Sequence, residues 1–235
     1  MKIDFAGKVA LVAGGTGGLG RAVSLAFLEE GAKVVVPYRS EKEFAELRRA
    51  AAGRESQLIG RTVDVLDEAA VAKLVDEIGR IDVLVNTVGG YVGGVELWKL
   101  APADFDRMLN LNLRTGYLLA RAVVPGMLKR GSGAVVNVSA KAAVDHGAGA
   151  SAYAASKAAS LALMDSLAAD TRGTGVRVNS VLPSIIDTKA NREAMPKAKF
   201  DVWPKPEDIA TVILFLASDA AKVVHGAAVP VYGDS

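Results

Sequence analysis

The sequence predicts an α/β fold, a doubly wound parallel sheet of about seven strands with helices on both faces. Three observations predict it. Short valine-rich runs are apolar almost without alternation, as strands buried on both faces are. Helix-like stretches separate these runs, the arrangement that right-handed βαβ units require. A glycine-rich turn joins the first run to the first helix-like stretch. The 235 residues, 51% hydrophobic and 23% charged, suit one domain of the larger α/β kind over 1–235.

The expected strands are Val9–Ala13, Lys33–Val36, Leu58–Val63, Val83–Asn86, Ala134–Val138, Val176–Leu182 and Ala227–Val231. The expected helices are 18–30, 41–52, 67–79, 101–129, 151–172 and 206–217. In the last, Ile209, Val212, Ile213 and Leu216 share one face, and Pro206 suits the first turn. Segment 184–205 breaks the rhythm: it is polar, contains proline and follows a strand end, where open α/β sheets bind ligands. It reads as a substrate lid without regular structure.

Composition excludes several classes of function. A net charge of +2 from scattered basic residues argues against nucleic acid as a partner. The absence of cysteine removes disulfides, thiolate nucleophiles and thiolate-bound metals, and no metal site is expected. The N-terminal stretch has Asp4 and an apolar run only from Val9 to Ala13, too short for a signal peptide or a membrane span. A cytoplasmic location without membrane association is the expectation.

The turn carries Gly14, Gly15, Gly17, Gly18 and Gly20, with Thr16 and Leu19 between them. It satisfies G-x-G-x-x-G from Gly15 and G-x-x-x-G-x-G from Gly14. Placed between a buried strand and an amphipathic helix, it suits a Rossmann-type pyrophosphate site, where backbone must approach phosphate and helix amides face it. About twenty residues on, an NAD site carries an acid for the adenosine ribose. Here the second strand ends in Tyr38, followed by Arg39 and Ser40, a guanidinium and a hydroxyl suited to a 2′-phosphate. NADP(H) is favoured, with NAD(H) as the alternative.

Tyr153 and Lys157 lie four apart on one helix face. A free phenol near pKa 10 exchanges protons poorly at neutral pH, and a neighbouring ammonium is expected to lower it. Ser139 closes a strand, where a hydroxyl can hold a carbonyl oxygen. Asn112 interrupts a long helical pattern with a poor helix former, and Asn86 ends another strand.

With these residues in place, the chain resembles the short-chain dehydrogenases/reductases over essentially its whole length. The family's TGxxxGxG motif is similar to Ala13–Gly20, with alanine leading. Its adenine-contacting acid matches Asp64, followed by Val65, and its NNAG motif appears as NTVG, matching Asn86 and Gly89. The strand-six motif PG-x-x-x-T reads Pro183 to Thr188 through Ile186, with Ser184 in place of glycine. The resemblance implies that Tyr153 is the general acid/base, Lys157 tunes it and binds the nicotinamide ribose, Ser139 orients the carbonyl, and Asn112 holds a water. It also implies a small carbonyl or alcohol substrate. A homodimer or homotetramer would form through the long helices, of which 151–172 is alanine-rich.

The overall pattern resembles the 3-oxoacyl-carrier-protein reductase group. The lid instead resembles dihydropteridine reductase, through Asp187, Thr188, Asn191, Arg192, Met195, Pro196, Ala198, Phe200 and Trp203. Unlike that enzyme, this chain has Ser139 and lacks the NADH-type acid. Reduction of a quinonoid pterin and a non-catalytic dinucleotide sensor stand as alternatives to reversible carbonyl/alcohol hydride transfer.

Overall fold

The computed structural model describes residues 3–235. Met1 and Lys2, which begin the stretch read for a leader, lie outside the described residues. Seven parallel strands form one sheet in the order β3-β2-β1-β4-β5-β6-β7. They are β1 (Val9–Ala13), β2 (Lys33–Tyr38), β3 (Leu58–Thr62), β4 (Val83–Asn86), β5 (Gly133–Val138), β6 (Val176–Pro183) and β7 (Ala228–Val231). The chain runs outwards through β2 and β3, then returns beside β1 as β4. That reversal opens a crevice at the carboxyl ends of β1 and β4.

The near-continuous apolar runs are explained by two cores, one on each face. Ala10 and Val12 of β1 enter one core, while Leu11 and Ala13 enter the other. β2 repeats the pattern with Val34 and Val36 against Val35, and β4 with Val83 and Val85 against Leu84. The first core is closed by α1 (Gly18–Glu29), α2 (Glu41–Ala50) and α8 (Pro206–Ala217), through Phe27, Leu47 and Ile213, all fully buried. The second is closed by α3 (Glu68–Ile78), α5 (Thr115–Arg130) and α6 (Ser151–Asp170), through Leu74, Leu119 and Met164. Each such side chain contributes about 1.5–3 kcal/mol on leaving water.

Local chemistry fixes the helix ends. Ser40 caps α2 by accepting from the Glu43 N–H, and Asp67 caps α3 by accepting from the Ala70 N–H. Pro206 opens α8, and Gly131 at φ +66° ends α5 after Lys129 and Arg130. α1, like α6, has no side-chain cap and no acid in its first turn, and α1 alone of the two follows the glycine turn after β1. Its free amides face the crevice at the end of β1, as an anion-binding helix requires.

Two expectations change. The helix expected over 101–129 is α4 (Pro102–Leu109), a π-helical turn at Asn110–Arg114, and α5. That turn contains Asn112, the poor helix former, whose side chain bonds to Gly90 outside the helix. The lid is not irregular throughout. It contains α7 (Lys189–Ala194), capped by the Thr188 hydroxyl, and a single 3₁₀ turn at Phe200–Val202.

Candidate active site

A cavity of about 620 Å³ opens at the strand ends. Its walls bring together Gly14, Thr16 and Gly17 from the glycine turn, Arg39 and Ser40 after β2, Asp64 and Val65 after β3, and Gly89 after β4. Gly14 and Gly20 are sterically required. A Cβ at Gly20 would lie 2.0 Å from the Gly14 carbonyl oxygen, and Gly14 holds φ +77°. Gly18 packs on Thr188, where a Cβ would meet the methyl at 2.8 Å, so the lid's first turn rests on the glycine turn. Leu19 and Gly20 are buried within α1. A cavity this size, walled by glycine backbone and headed by an uncapped helix, fits a dinucleotide.

The strand-end residues are tied together by buried polar bonds. Asn86 donates to Asn137 Oδ1 at 3.3 Å and accepts from the Val88 N–H at 3.2 Å. Asn137 in turn donates to Ser160 Oγ on α6 at 3.2 Å. The threonine that departs from the NNAG pattern joins the ends of β4 and β1, with Thr87 Oγ1 donating to the Ala13 carbonyl at 2.8 Å.

Ser139 and Lys157 meet at the end of β5, and Asn112 is tied through Ser156 Oγ to the Tyr153 carbonyl. Lys157 Nζ donates to the Val138 carbonyl at 3.0 Å, and Ser139 Oγ donates to the Lys157 carbonyl at 3.0 Å. A Cβ at Gly89 would meet Asn112 Oδ1 at 3.0 Å and Lys157 Nζ at 3.2 Å, so the cavity's inner wall touches both. Asn112 accepts from the Gly90 N–H at 2.8 Å, and its amide donates to the Gly90 carbonyl at 3.0 Å and Ser156 Oγ at 2.9 Å. In this structure Asn112 therefore clamps the loop after β4.

The electrostatics run opposite to the expectation that the lysine lowers the phenol's pKa. Burial, aided by the neighbouring Tyr91, pushes Tyr153 up to about 12. Burial brings Lys157 down to about 8. The ammonium is directed at the Val138 carbonyl, and desolvation is the largest influence on both groups.

Pro183 is the buried end of β6, and Ile186 packs against the first core. Most lid residues shared with the pterin enzyme serve the lid itself. Arg192 pairs with Asp187 and lies 4.8 Å over the Phe200 ring. Asn191 donates to the Ile186 carbonyl at 2.8 Å, and Phe200 sits 5.1 Å from Trp203, which is buried. His146 is exposed and lies 3.3 Å from the Ala143 carbonyl.

Sequence reasoning missed two residues. Glu43 lines the cavity beside Arg39 and accepts from Thr16 Oγ1 at 3.0 Å. Its position, three residues past the cap, was the available signal. Tyr91 meets Tyr153 edge-on, with centroids 5.0 Å apart. An aromatic flanked by glycine pairs, GGYVGG, was its signal.

The family model for the short chain dehydrogenases matches residues 8–199. The chain belongs to the short-chain dehydrogenases/reductases. As a member it is an NAD(P)-dependent oxidoreductase. It is 34% identical to the 3-oxoacyl-acyl-carrier-protein reductase of Thermotoga maritima, over 97% of each chain. It is 35% identical to D-threitol dehydrogenase of Mycolicibacterium smegmatis, over 94% of this chain and 90% of that one. The NADP-bound structure of ElxO superposes with a TM-score of 0.90 at 26% identity, covering 96% and 97%. Among the described residues of this dehydrogenase/reductase, no helix is long and apolar enough to cross a membrane.

Proposed function

We propose that this chain reduces a small carbonyl compound with NADPH, reversibly, and that Tyr153 gives the proton to the carbonyl oxygen. The observation that carries the reading is a neutral, desolvated phenol one helical turn from Lys157, whose ammonium meets the end of β5 beside Ser139, near a dinucleotide-sized cavity. A bound nicotinamide would exchange hydride with the substrate carbon. Ser139 turns its hydroxyl from the Lys157 carbonyl to the substrate oxygen. Lys157 and Asn112, which frame Gly89, hold the ribose side of the cavity and the route by which Tyr153 regains its proton. Asn86, Pro183, Ile186 and Thr188 shape the nicotinamide end, and Asp64 and Val65 the adenine end.

Preference for NADP(H) rests on Arg39 at the cavity wall, and the NADP in the ElxO structure supports it. The whole chain acts as one unit in the cytoplasm, as a homodimer or homotetramer. The exposed Phe105 of α4 and Tyr117 of α5 support self-association through these helices. Reduction of diketones and simple ketones, followed by NADPH absorbance, tests the reading. Tyr153→Phe is expected to lose turnover while binding NADPH as before, and a variant that keeps most of its kcat refutes the assignment.

A further inference from the structure

Tyr91 is 65% exposed, yet it is firmly placed. Its ring meets that of Tyr153 at 75° with centroids 5.0 Å apart. Its hydroxyl lies over Gly93, where a Cβ would come within 1.9 Å, so only glycine admits this position of the ring. The backbone is anchored on both sides. Gly90, just before Tyr91, exchanges two hydrogen bonds with Asn112. Val95, four residues after, donates its N–H to the Gly149 carbonyl at 3.2 Å, tying this loop to the segment that leads into α6. One polar chain then connects the two tyrosines: Asn112 donates to Ser156 Oγ, and Ser156 donates to the Tyr153 carbonyl at 2.8 Å.

Tyr91 takes no part in any buried core, so packing does not explain this anchoring. Its surroundings point to a ligand. Val144 and Ile185, also exposed, stand on the segments that follow β5 and β6. Because β4, β5 and β6 are neighbours, the three segments bearing Tyr91, Val144 and Ile185 rim the same end of the sheet. The acids beside Ile185 and Val144 each face a cation, Asp187 with Arg192 and Asp145 with Lys141 at 4.0 Å. Such a rim favours a flat apolar group, which an aromatic ring accepts by stacking or edge contact.

We infer that Tyr91 is a specificity-determining residue, the aromatic wall of the substrate pocket, and that the preferred substrates are uncharged carbonyl compounds with a planar or aromatic group beside the reacting carbonyl. The inference rests on Tyr153 as the site of carbonyl reduction.

The test compares phenylpropanedione with butanedione, which share a diketone and differ in the flat group. Binding is measured by calorimetry to the NADPH-loaded Tyr153→Phe protein, which separates recognition from turnover. The phenyl compound is expected to bind about tenfold tighter than the methyl compound. Adding Tyr91→Ala removes that preference, and Tyr91→Phe retains it. Equal binding of the two diketones, or a preference that survives Tyr91→Ala, overturns the inference. So does an equal loss of NADPH and diketone affinity in Tyr91→Ala, which marks a collapsed loop. Turnover by the wild-type protein is scored separately: if the binding pattern holds but neither diketone is reduced, the wall stands and the carbonyl-reductase reading falls.

Discussion

Lys157 is a buried amine that the fold keeps at a cost, and replacing it should show how large the cost is. Desolvation brings its pKa from 10.5 to about 8. A group whose folded pKa is depressed weakens the fold at low pH, where both states hold the proton, and the deficit disappears as pH rises past the unfolded value. At about pH 7 the deficit is roughly 3 kcal/mol, and by about pH 9.5 it has shrunk by about 2 kcal/mol. Lys157→Met fills similar volume without a charge, but it leaves the Val138 carbonyl without its donor, which costs about 1–3 kcal/mol at every pH. The absolute stability change is therefore a near-balance, whereas its pH dependence is not. Urea unfolding of cofactor-free wild type and Lys157→Met, at the two pH values, should give a stability difference that moves by about 2 kcal/mol in favour of wild type as pH rises. A difference independent of pH would mean that Lys157 titrates as a solvated amine, and the desolvation argument would fail.

Other outcomes follow from the same geometry. Arg39→Ala should weaken NADPH binding about tenfold and leave NADH nearly unchanged, as fluorescence titration reads. Glu43→Gln should do the reverse, tightening NADPH severalfold by removing a carboxylate from the same cavity wall. No change in the NADPH/NADH ratio in either variant would remove the 2′-phosphate assignment. Trp203→Ala opens a void beneath the lid and should cost about 3 kcal/mol in thermal or urea unfolding. A loss under about 1 kcal/mol would show that the lid is not anchored there.

The strands were legible because burial on both faces leaves nearly uninterrupted valine runs, and all seven lie within a few residues of where the pattern places them. The glycine turn was legible because backbone sterics restrict Gly14 and Gly20 to glycine. The π turn was not, since a single inserted residue leaves the apolar spacing of 101–129 almost intact. The lid pattern was legible as residues and misleading as chemistry. Asp187, Arg192 and Phe200 are spent on one another and Asn191 on the Ile186 carbonyl, so a match there reports how the lid folds before it reports what the lid covers.

The state of Tyr153 was the least legible feature, and it can be measured directly. Spacing shows that a lysine stands one turn away, but not where its ammonium points or how much water remains. Here the ammonium bonds to Val138, and burial with Tyr91 keeps the phenol protonated to about pH 12. A neutral phenol is the form that gives a proton, which is what the proposed reduction asks of Tyr153. Because the folded pKa is raised, Tyr153 stabilises the fold fully below the unfolded value near 10, and that stabilisation fades as pH climbs towards about 12. Phenolate difference absorbance between cofactor-free wild type and Tyr153→Phe should accordingly show no ionisation up to about pH 10. A phenolate step near neutral pH in the cofactor-free protein would show that Lys157 alone suffices to lower the phenol, restoring the simpler picture that spacing suggests.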